Sequence, residues 1–343
     1  MNPDWRTFLT ARSARDGADA HAPAPGAPAD ADCTRYDLSH LGLIAVRGDD
    51  AVTFLQGQLT NDVRAVSDTH SQLSSHCSPK GRMLALFRVL RLGDAIVLQL
   101  PRERVADTLK RLRLFVMRAK VTLEDQSDGP IRIGVAGSGA VGALAALGLA
   151  LPELDNALAV TDEVTVLRLP APVPRFELIG PFERLAPLWD ALTPNSVMGD
   201  TDAWALLDIR AGIPTVYNTT VETFVPQMVN MQLIDGVSFD KGCYVGQEVV
   251  ARMRYLGTLK RRMYLAEVES LTPPQPGDAI NAPGSTSEQG AGRVVDARPL
   301  GAGRYALLVV VETAAAEAGD ARLGTTGSLL QLTAPPYGFS AET

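Results

Sequence analysis

Lys241-Gly-Cys-Tyr-Val-Gly-Gln-Glu248 is the stretch on which the reading of this chain turns. It follows Phe224-Val-Pro-Gln-Met-Val-Asn230 and Ile234-Asp-Gly-Val-Ser-Phe-Asp240, two segments rich in amides and turn-forming residues. Apolar spacing predicts a helix from about Val245, with Val249, Val250 and Met253 on its buried side. Gly242 and Gly246 flank Cys243 and Tyr244, and glycine serves where backbone turns sharply or approaches a ligand. Cys243 then stands just ahead of a helix N-terminus, with Lys241 before it and Arg252 and Arg254 beyond. A positive field of that kind favours thiolate over thiol. The competing reading is a small buried cysteine used for packing, the commoner fate of a free thiol. Local sequence leaves both open. Gln227, Asn230 and Gln247 likewise have two readings: amides bonded to their own loop backbone, or amides that read the edge of a heterocycle.

Around that stretch, 343 residues suffice for two or three domains, and 46% hydrophobic with 21% charged content is that of a globular protein. A net charge of −7 argues against bulk attraction to polyanions, so no stable nucleic-acid binding is expected. Cys33, Cys77 and Cys243 are scattered, no CxxC occurs, and His21, His40, His70 and His76 show no paired spacing. A self-contained zinc or iron–sulfur centre takes about four clustered ligands, so the chain is expected to hold neither. The thiols read as reduced, in a cytoplasmic protein. The start lacks the basic-then-apolar pattern of a signal peptide, and the weakly apolar run 133–151 is too rich in Gly and Ala for a membrane span. Nothing in the sequence requires more than a monomer.

Residues 1–33 read as a short helix, Asp4–Arg15, followed by an Ala/Pro/Asp tract expected to be a mobile tether. From Tyr36 the pattern becomes regular. Strands are predicted at Leu43–Arg47, Gln72–Cys77, Met83–Leu92 and Ala95–Leu100, with a helix capped by Asp49-Asp50 running to about Leu59. Arg102–Met117 has helical spacing. Further strands are predicted at Val121–Glu124, Ile131–Val135, Val164–Leu169 and Phe176–Ile179, and helices at Ala140–Leu147, Phe182–Leu192 and Asp202–Ala211. Beyond Gly257 only strands and Pro/Gly-rich turns follow. The fold class is therefore α+β: an antiparallel α+β region over 34–260, a β-barrel over 261–335 and a tail over 336–343.

Ile131-Arg-Ile-Gly-Val-Ala-Gly-Ser-Gly-Ala-Val-Gly142 has the form of a dinucleotide fingerprint. It lacks the acidic residue that should end a second parallel strand about 20 positions on, so it is read as an ordinary strand–helix turn. Two stretches are basic against the acidic average. Leu100–Lys120 has seven Lys/Arg to two Asp/Glu, and Lys241–Arg262 has six to one. Such runs are usually solvated faces; converging in space, they would form a funnel for an anionic ligand.

The chain resembles the YgfZ-type folate-binding proteins, relatives of the glycine-cleavage T-protein (aminomethyltransferase). Lys241–Glu248 matches the family's KGC[FY]xGQE signature. The resemblance extends to Phe54-Leu-Gln-Gly-Gln-Leu-Thr-Asn61, Ser78-Pro-Lys-Gly-Arg82, Arg210-Ala-Gly-Ile-Pro214 and Phe224–Asn230, and covers roughly Tyr36 to the end. It implies two intertwined domains around a central folate pocket plus a C-terminal barrel. It implies tetrahydrofolate, or a derivative, as cofactor. It also implies a role in iron–sulfur cluster assembly or repair, with iron–sulfur proteins such as tRNA-methylthiolating enzymes as partners. On this resemblance Cys243 and Lys241 are the candidate catalytic residues, with Cys243 as the working thiol. Gln227, Asn230, Tyr244, Gly246, Gln247, Arg252 and Arg254 are the candidate folate contacts. The alternative is a tetrahydrofolate-dependent one-carbon transferase on an unknown acceptor. Two departures from the T-protein count against glycine cleavage. Its acidic pair after a Gly-Gly turn aligns with Gly81-Arg-Met-Leu-Ala-Leu86, which has no acid, and its pterin-binding carboxylate is expected to be missing near Ala171-Pro-Val-Pro-Arg175.

Overall fold

Three sheets carry the chain, and in each of them the order in space departs from the order in sequence. The computed structural model describes residues 1–16, 32–256, 259–288, 290–325 and 327–339. β1 (Thr34–Asp37) leads directly into a five-stranded sheet made of β2 (Leu41–Arg47), β3 (Gln72–Cys77), β4 (Met83–Leu92), β5 (Ala95–Pro101) and β6 (Thr122–Asp125), ordered β3-β4-β5-β2-β6. The chain then returns to β1. β7 (Ile131–Ala136), β8 (Leu158–Thr161), β9 (Val164–Arg168), β10 (Arg175–Gly180) and β11 (Val197–Gly199) complete a six-stranded sheet ordered β11-β1-β7-β10-β9-β8. The five-stranded sheet is thus an insertion between two paired strands, β1 and β7. Because β7 runs antiparallel to both its neighbours, the glycine-rich turn after it has no parallel dinucleotide-binding unit around it.

Burial on both faces explains why β4 and β5 read as nearly unbroken apolar runs. On one face Phe87, Val89 and Leu98 pack under α2 (Ala51–Gln56) and α3 (Val105–Arg113). On the other, Leu43, Leu90 and Val97 meet Leu167 and Ile179 of the six-stranded sheet. The far side of that second sheet is covered by α1 (Pro3–Asp16), α4 (Ala140–Ala146) and α5 (Phe182–Leu192). The layers are helix, sheet, sheet, helix. α6 (Thr201–Ala211) closes one end, with Trp204 in the inter-sheet core and Leu206 and Ile209 in a second core shared with the C-terminal sheet. A side chain on Gly134 would come within 2.5 Å of the Trp204 ring, so this glycine of β7 makes room for the indole.

The C-terminal unit is a six-stranded sheet of β12 (Arg261–Glu269), β13 (Ala279–Asn281), β14 (Gly292–Gly301), β15 (Arg304–Glu312), β16 (Arg322–Leu323) and β17 (Gln331–Thr333), ordered β16-β13-β14-β15-β12-β17. α8 (Thr313–Ala318) follows β15. α7 (Gln247–Leu256) precedes the unit and begins two residues later than spacing predicts. The predicted helix Arg102–Met117 is shorter than expected: a 3-10 turn covers Arg102–Arg104, and α3 stops at Arg113. The Asp50 side chain does not cap α2 but accepts from Lys120 N at 2.8 Å. The proposed tether lies almost wholly outside the described residues. Its leading helix, α1, is part of the core: Trp5 is 1% exposed, meets Trp189 edge-on and donates from Nε1 to Asp37 Oδ1 at 2.9 Å. The expected tail also packs, through Tyr337 on Gly212 O and Phe339 against Tyr264.

Two local constraints hold the signature segment and the C-terminal sheet in place. Gly246 has φ +84, and a Cβ there would lie 2.5 Å from Ser78 O, the start of the β3–β4 turn. Gly81 of that turn faces Val249 of α7 in the same way, at 2.7 Å. The two motifs, far apart in sequence, interlock through paired glycines. At the other junction Asp296 of β14 is buried, accepts from Tyr217 Oη at 2.8 Å and pairs with Arg298 at 3.0 Å.

Gly246→Ala therefore combines left-handed strain with a backbone clash and should destabilise the fold by about 1–3 kcal/mol in denaturant titration. Burial pushes the Asp296 carboxyl from 3.8 up to about 6, against the pull of Arg298. A raised folded-state value makes this group's contribution largest below its unfolded value and lost as pH rises through 6. Lowering the pH from 7 to 4 should thus stabilise the wild-type protein relative to Asp296→Asn, by up to about 3 kcal/mol. Parallel pH dependences for the two proteins would exclude this linkage.

Candidate functional site

A cavity of ≈ 330 Å³ opens between the two facing sheets and α6, with Arg298 of β14 on its wall. Its polar lining comes from inward-facing positions on otherwise apolar elements. On β4, Leu86 and Arg88 share the inner face, and Arg88 stands opposite Gln99 of β5 in the ladder. On β10, Arg175 and Glu177 point the same way, and α6 supplies Trp204 and Asp208 one turn apart.

These groups form a connected set. Gln99 donates from Nε2 to Glu177 Oε1 at 2.5 Å. Arg175 donates to Asp208 Oδ1 at 2.7 Å and its guanidinium lies 3.8 Å above the Trp204 ring. Arg88 donates to Asn156 Oδ1 at 2.7 Å. Burial pushes the Glu177 carboxyl up, opposed by Arg132, the Gln99 bond, Arg88 and Arg175. Burial lowers Arg88 to about 10, which leaves it charged at neutral pH, and lowers His40 to about 4, which leaves that imidazole neutral. Desolvating several ionised groups costs several kcal/mol each on the order-of-magnitude scale of buried ions, so this cluster is not explained by stability alone. Convergent polar groups in an apolar cavity are the usual form of a small-molecule site.

Close to the stretch expected to lack a carboxylate, the structure brings Glu177 into the cavity. It stands two residues beyond Ala171–Arg175. Met83, Leu84, Ala85 and Leu86 at the start of β4 are buried and apolar.

The residues singled out from sequence cluster elsewhere, and none lines this cavity. Cys243 is exposed, whereas Cys33 and Cys77 are buried. Burial pushes the Cys77 thiol up to about 12 and raises Cys33 as well, which leaves both unreactive. Lys241 is buried, and its ammonium donates to Gln56 O at 2.9 Å, Leu59 O at 2.6 Å and Asn61 O at 2.8 Å. With Val245 N on Gly57 O, it fastens the Cys243 loop to the end of α2. Tyr244 is buried beneath that loop, its ring 5.1 Å from the Lys241 Nζ. Gly246 packs on the β3–β4 turn, and Gln247 opens α7. Arg252 is exposed, and Arg254 lies over the Phe239 ring at 4.1 Å.

Gln227 and Asn230 are buried and bond to other elements rather than to their own loop. Gln227 Nε2 donates to Val250 O at 2.5 Å, and Asn230 Nδ2 donates to Met263 O at 2.9 Å and Tyr337 Oη at 3.2 Å. The molecule therefore has a polar cavity and, apart from it, an exposed thiol on an anchored loop. Among the described residues no group of three or more His, Cys, Asp or Glu could hold a metal ion. Arg88, Gln99 and Glu177 carry a sequence signal that could have found them: each interrupts an apolar strand buried on both faces.

No family model matches the chain. It is 36% identical over 231 residues to the tRNA-modifying protein YgfZ of Yersinia pestis (strain Pestoides F), which covers 67% of this chain and 70% of that protein. The tRNA-modifying protein YgfZ of Serratia proteamaculans is 32% identical over 288 residues, covering 84% and 87%. That of Cronobacter sakazakii is 34% identical over the same length. In structure the chain is similar to the glycine cleavage system aminomethyltransferase T of Bartonella henselae, with a TM-score of 0.64 and 18% identity over 90% of this chain and 86% of that one. That likeness shows a shared aminomethyltransferase-like α+β fold, and the sequence relationship places the chain in the YgfZ family.

Proposed function

We propose that this protein is a folate-binding accessory factor for iron–sulfur enzymes that modify tRNA, with Cys243 as its working thiol. The observation that carries the reading is the separation of a polar cavity from an exposed thiol. A small ligand would be held inside while the sulfur faces macromolecules.

The lining of the cavity suits a pterin. The Glu177 carboxylate would accept hydrogen bonds from the ring's adjacent N–H and amino donors. Gln99 holds Glu177, and the surrounding arginines favour its ionised form. Leu73, Leu86 and Trp204 offer apolar surface for ring faces, and Arg102 and Arg298 at the wall would meet a carboxylate tail. Tetrahydrofolate, when bound, is a one-carbon carrier.

The accessory role rests on what the loop can do. Lys241 holds it rigidly against α2, so Cys243 is presented at a fixed place without help from its own flexibility. An exposed thiolate can supply one ligand to a cluster in a partner protein. No acid occupies the start of β4, where the T-protein carries its acidic pair, so the groups for aminomethyl transfer are incomplete. The names of the relatives link them to tRNA modification, which supports tRNA-modifying enzymes as the partners.

Glu177→Gln should weaken tetrahydrofolate binding by about 10–100-fold in calorimetric titration, the worth of a charge-assisted hydrogen bond. Unchanged affinity would remove Glu177 from the pterin site. Cys243→Ser should abolish tRNA methylthiolation in a deletion strain while leaving the melting temperature and folate affinity as they are. Full restoration by that variant would end the thiol role.

A further inference from the structure

α3 ends at Arg113, and from Lys110 to Lys120 the chain has five Lys/Arg and no acidic residue. The turn that follows α3 sorts its apolar side chains in two directions. Phe115 and Val116 pack onto the core beneath the helix, whereas Leu114 is 72% exposed and Met117 90% exposed. Met117 also has φ +42, a left-handed conformation that costs a residue with a side chain about 1–3 kcal/mol. Glycine would relieve that strain and remove the exposed apolar group. Lys110, Arg113 and Arg118 are exposed around these two side chains, and among the described residues neither Lys110 nor Arg118 has an acidic partner.

The inner side of this turn is linked through β3 to the segment that anchors the Cys243 loop. The Phe115 ring lies 6.2 Å from the His76 ring, and His76 Nδ1 is 3.0 Å from Gln58 O. The same short segment, 56–61, receives the Lys241 ammonium and Val245 N. The base of this turn and the Cys243 loop are thus both tied to the segment that ends α2.

We infer that the Leu114/Met117 face docks the protein whose cluster Cys243 serves, through an apolar spot rimmed by carboxylates on that partner. The inference rests on the accessory-factor reading. Charge selects the occupant, because a rim of Lys110, Arg113 and Arg118 on a chain of net charge −7 steers acidic surfaces. Apolar centres with basic rims suit protein interfaces, where Met and Arg are enriched. Single-stranded RNA would call for exposed aromatic rings to stack on, and here Phe115 is turned inward.

The test uses the full chain carrying Leu114→Asp with Met117→Asp, or Lys110→Glu with Arg118→Glu. Leu271→Asp, at a residue 105% exposed, is the control. The probes are a purified iron–sulfur tRNA-methylthiolating enzyme, tRNA alone and phosphatidylglycerol vesicles. Melting temperature, tetrahydrofolate affinity and tRNA methylthiolation in a deletion strain are measured alongside. Both double variants should keep wild-type melting and folate affinity, bind the enzyme at least about tenfold more weakly and lose methylthiolation, while the control matches wild type. Wild-type binding and methylthiolation by the double variants would overturn the inference, as would failure of the unmodified chain to bind the enzyme. Selective loss of tRNA or vesicle binding would also overturn it, by assigning the face to another occupant. Loss of methylthiolation in the surface variants but not in Cys243→Ser leaves the docking face and removes the thiol role; the reverse pattern does the opposite.

Discussion

Arg175 and Asp208 meet at 2.7 Å where β10 faces α6, with the guanidinium lying on the indole of Trp204. This contact joins the six-stranded sheet to the helix that also packs against the C-terminal sheet, so it fixes the shape of the space between them. A guanidinium 1% exposed is costly to desolvate, and its carboxylate partner offsets that cost. The indole in turn needs Gly134 beneath it. The cavity is what remains when these requirements are met, and Glu177, two residues along the same strand, inherits a position facing it. Packing and chemistry are set by one strand.

The second centre has a different logic. From sequence, Lys241 is expected to act on the neighbouring sulfur by charge, whereas its ammonium is surrounded by the carbonyls of Gln56, Leu59 and Asn61. A lysine with three carbonyl partners works as a pin: it satisfies acceptors left at the end of a short helix and ties a loop to them. Tyr244 fills the space under the loop and Gly246 permits contact with the β3–β4 turn. Within the signature, Lys241, Tyr244 and Gly246 shape and hold the loop, and the Cys243 thiol is left exposed.

Much of the fold was legible in the sequence because its periodicities are strong. Gln72–Cys77, Met83–Leu92 and Phe182–Leu192 have the same limits in the structure as in the pattern. What escaped were short segments whose regularity depends on distant partners. β1 is defined by pairing with β7 and β11, and β13 and β16 are only a few residues long. The interlocked glycines, Gly81 and Gly246, were visible singly, but nothing in the chain announces that they touch. The cavity was the larger omission. Arg88, Gln99 and Glu177 lie within apolar strands and were passed over as interruptions, whereas a polar side chain on a strand buried on both faces must answer to something inside. Gln227 and Asn230 drew notice as amides in a loop, and their bonds go to α7, β12 and the tail. No local rule foretells such long-range partners.

The insertion of one sheet between β1 and β7 has a consequence for biosynthesis. α1 and β1 leave the ribosome well before two of their partners: Trp189, which receives Trp5, and β11, which pairs with β1, are made more than 150 residues later. Until β7 is made β1 has no partner, and until α5 is made Trp5 of α1 has no Trp189 to pack on, while the inserted sheet has all its strands by Asp125 and is free to form alone. Assembly must close around the nascent N-terminus instead of growing from it, and the early chain is the part most in need of a chaperone's shelter.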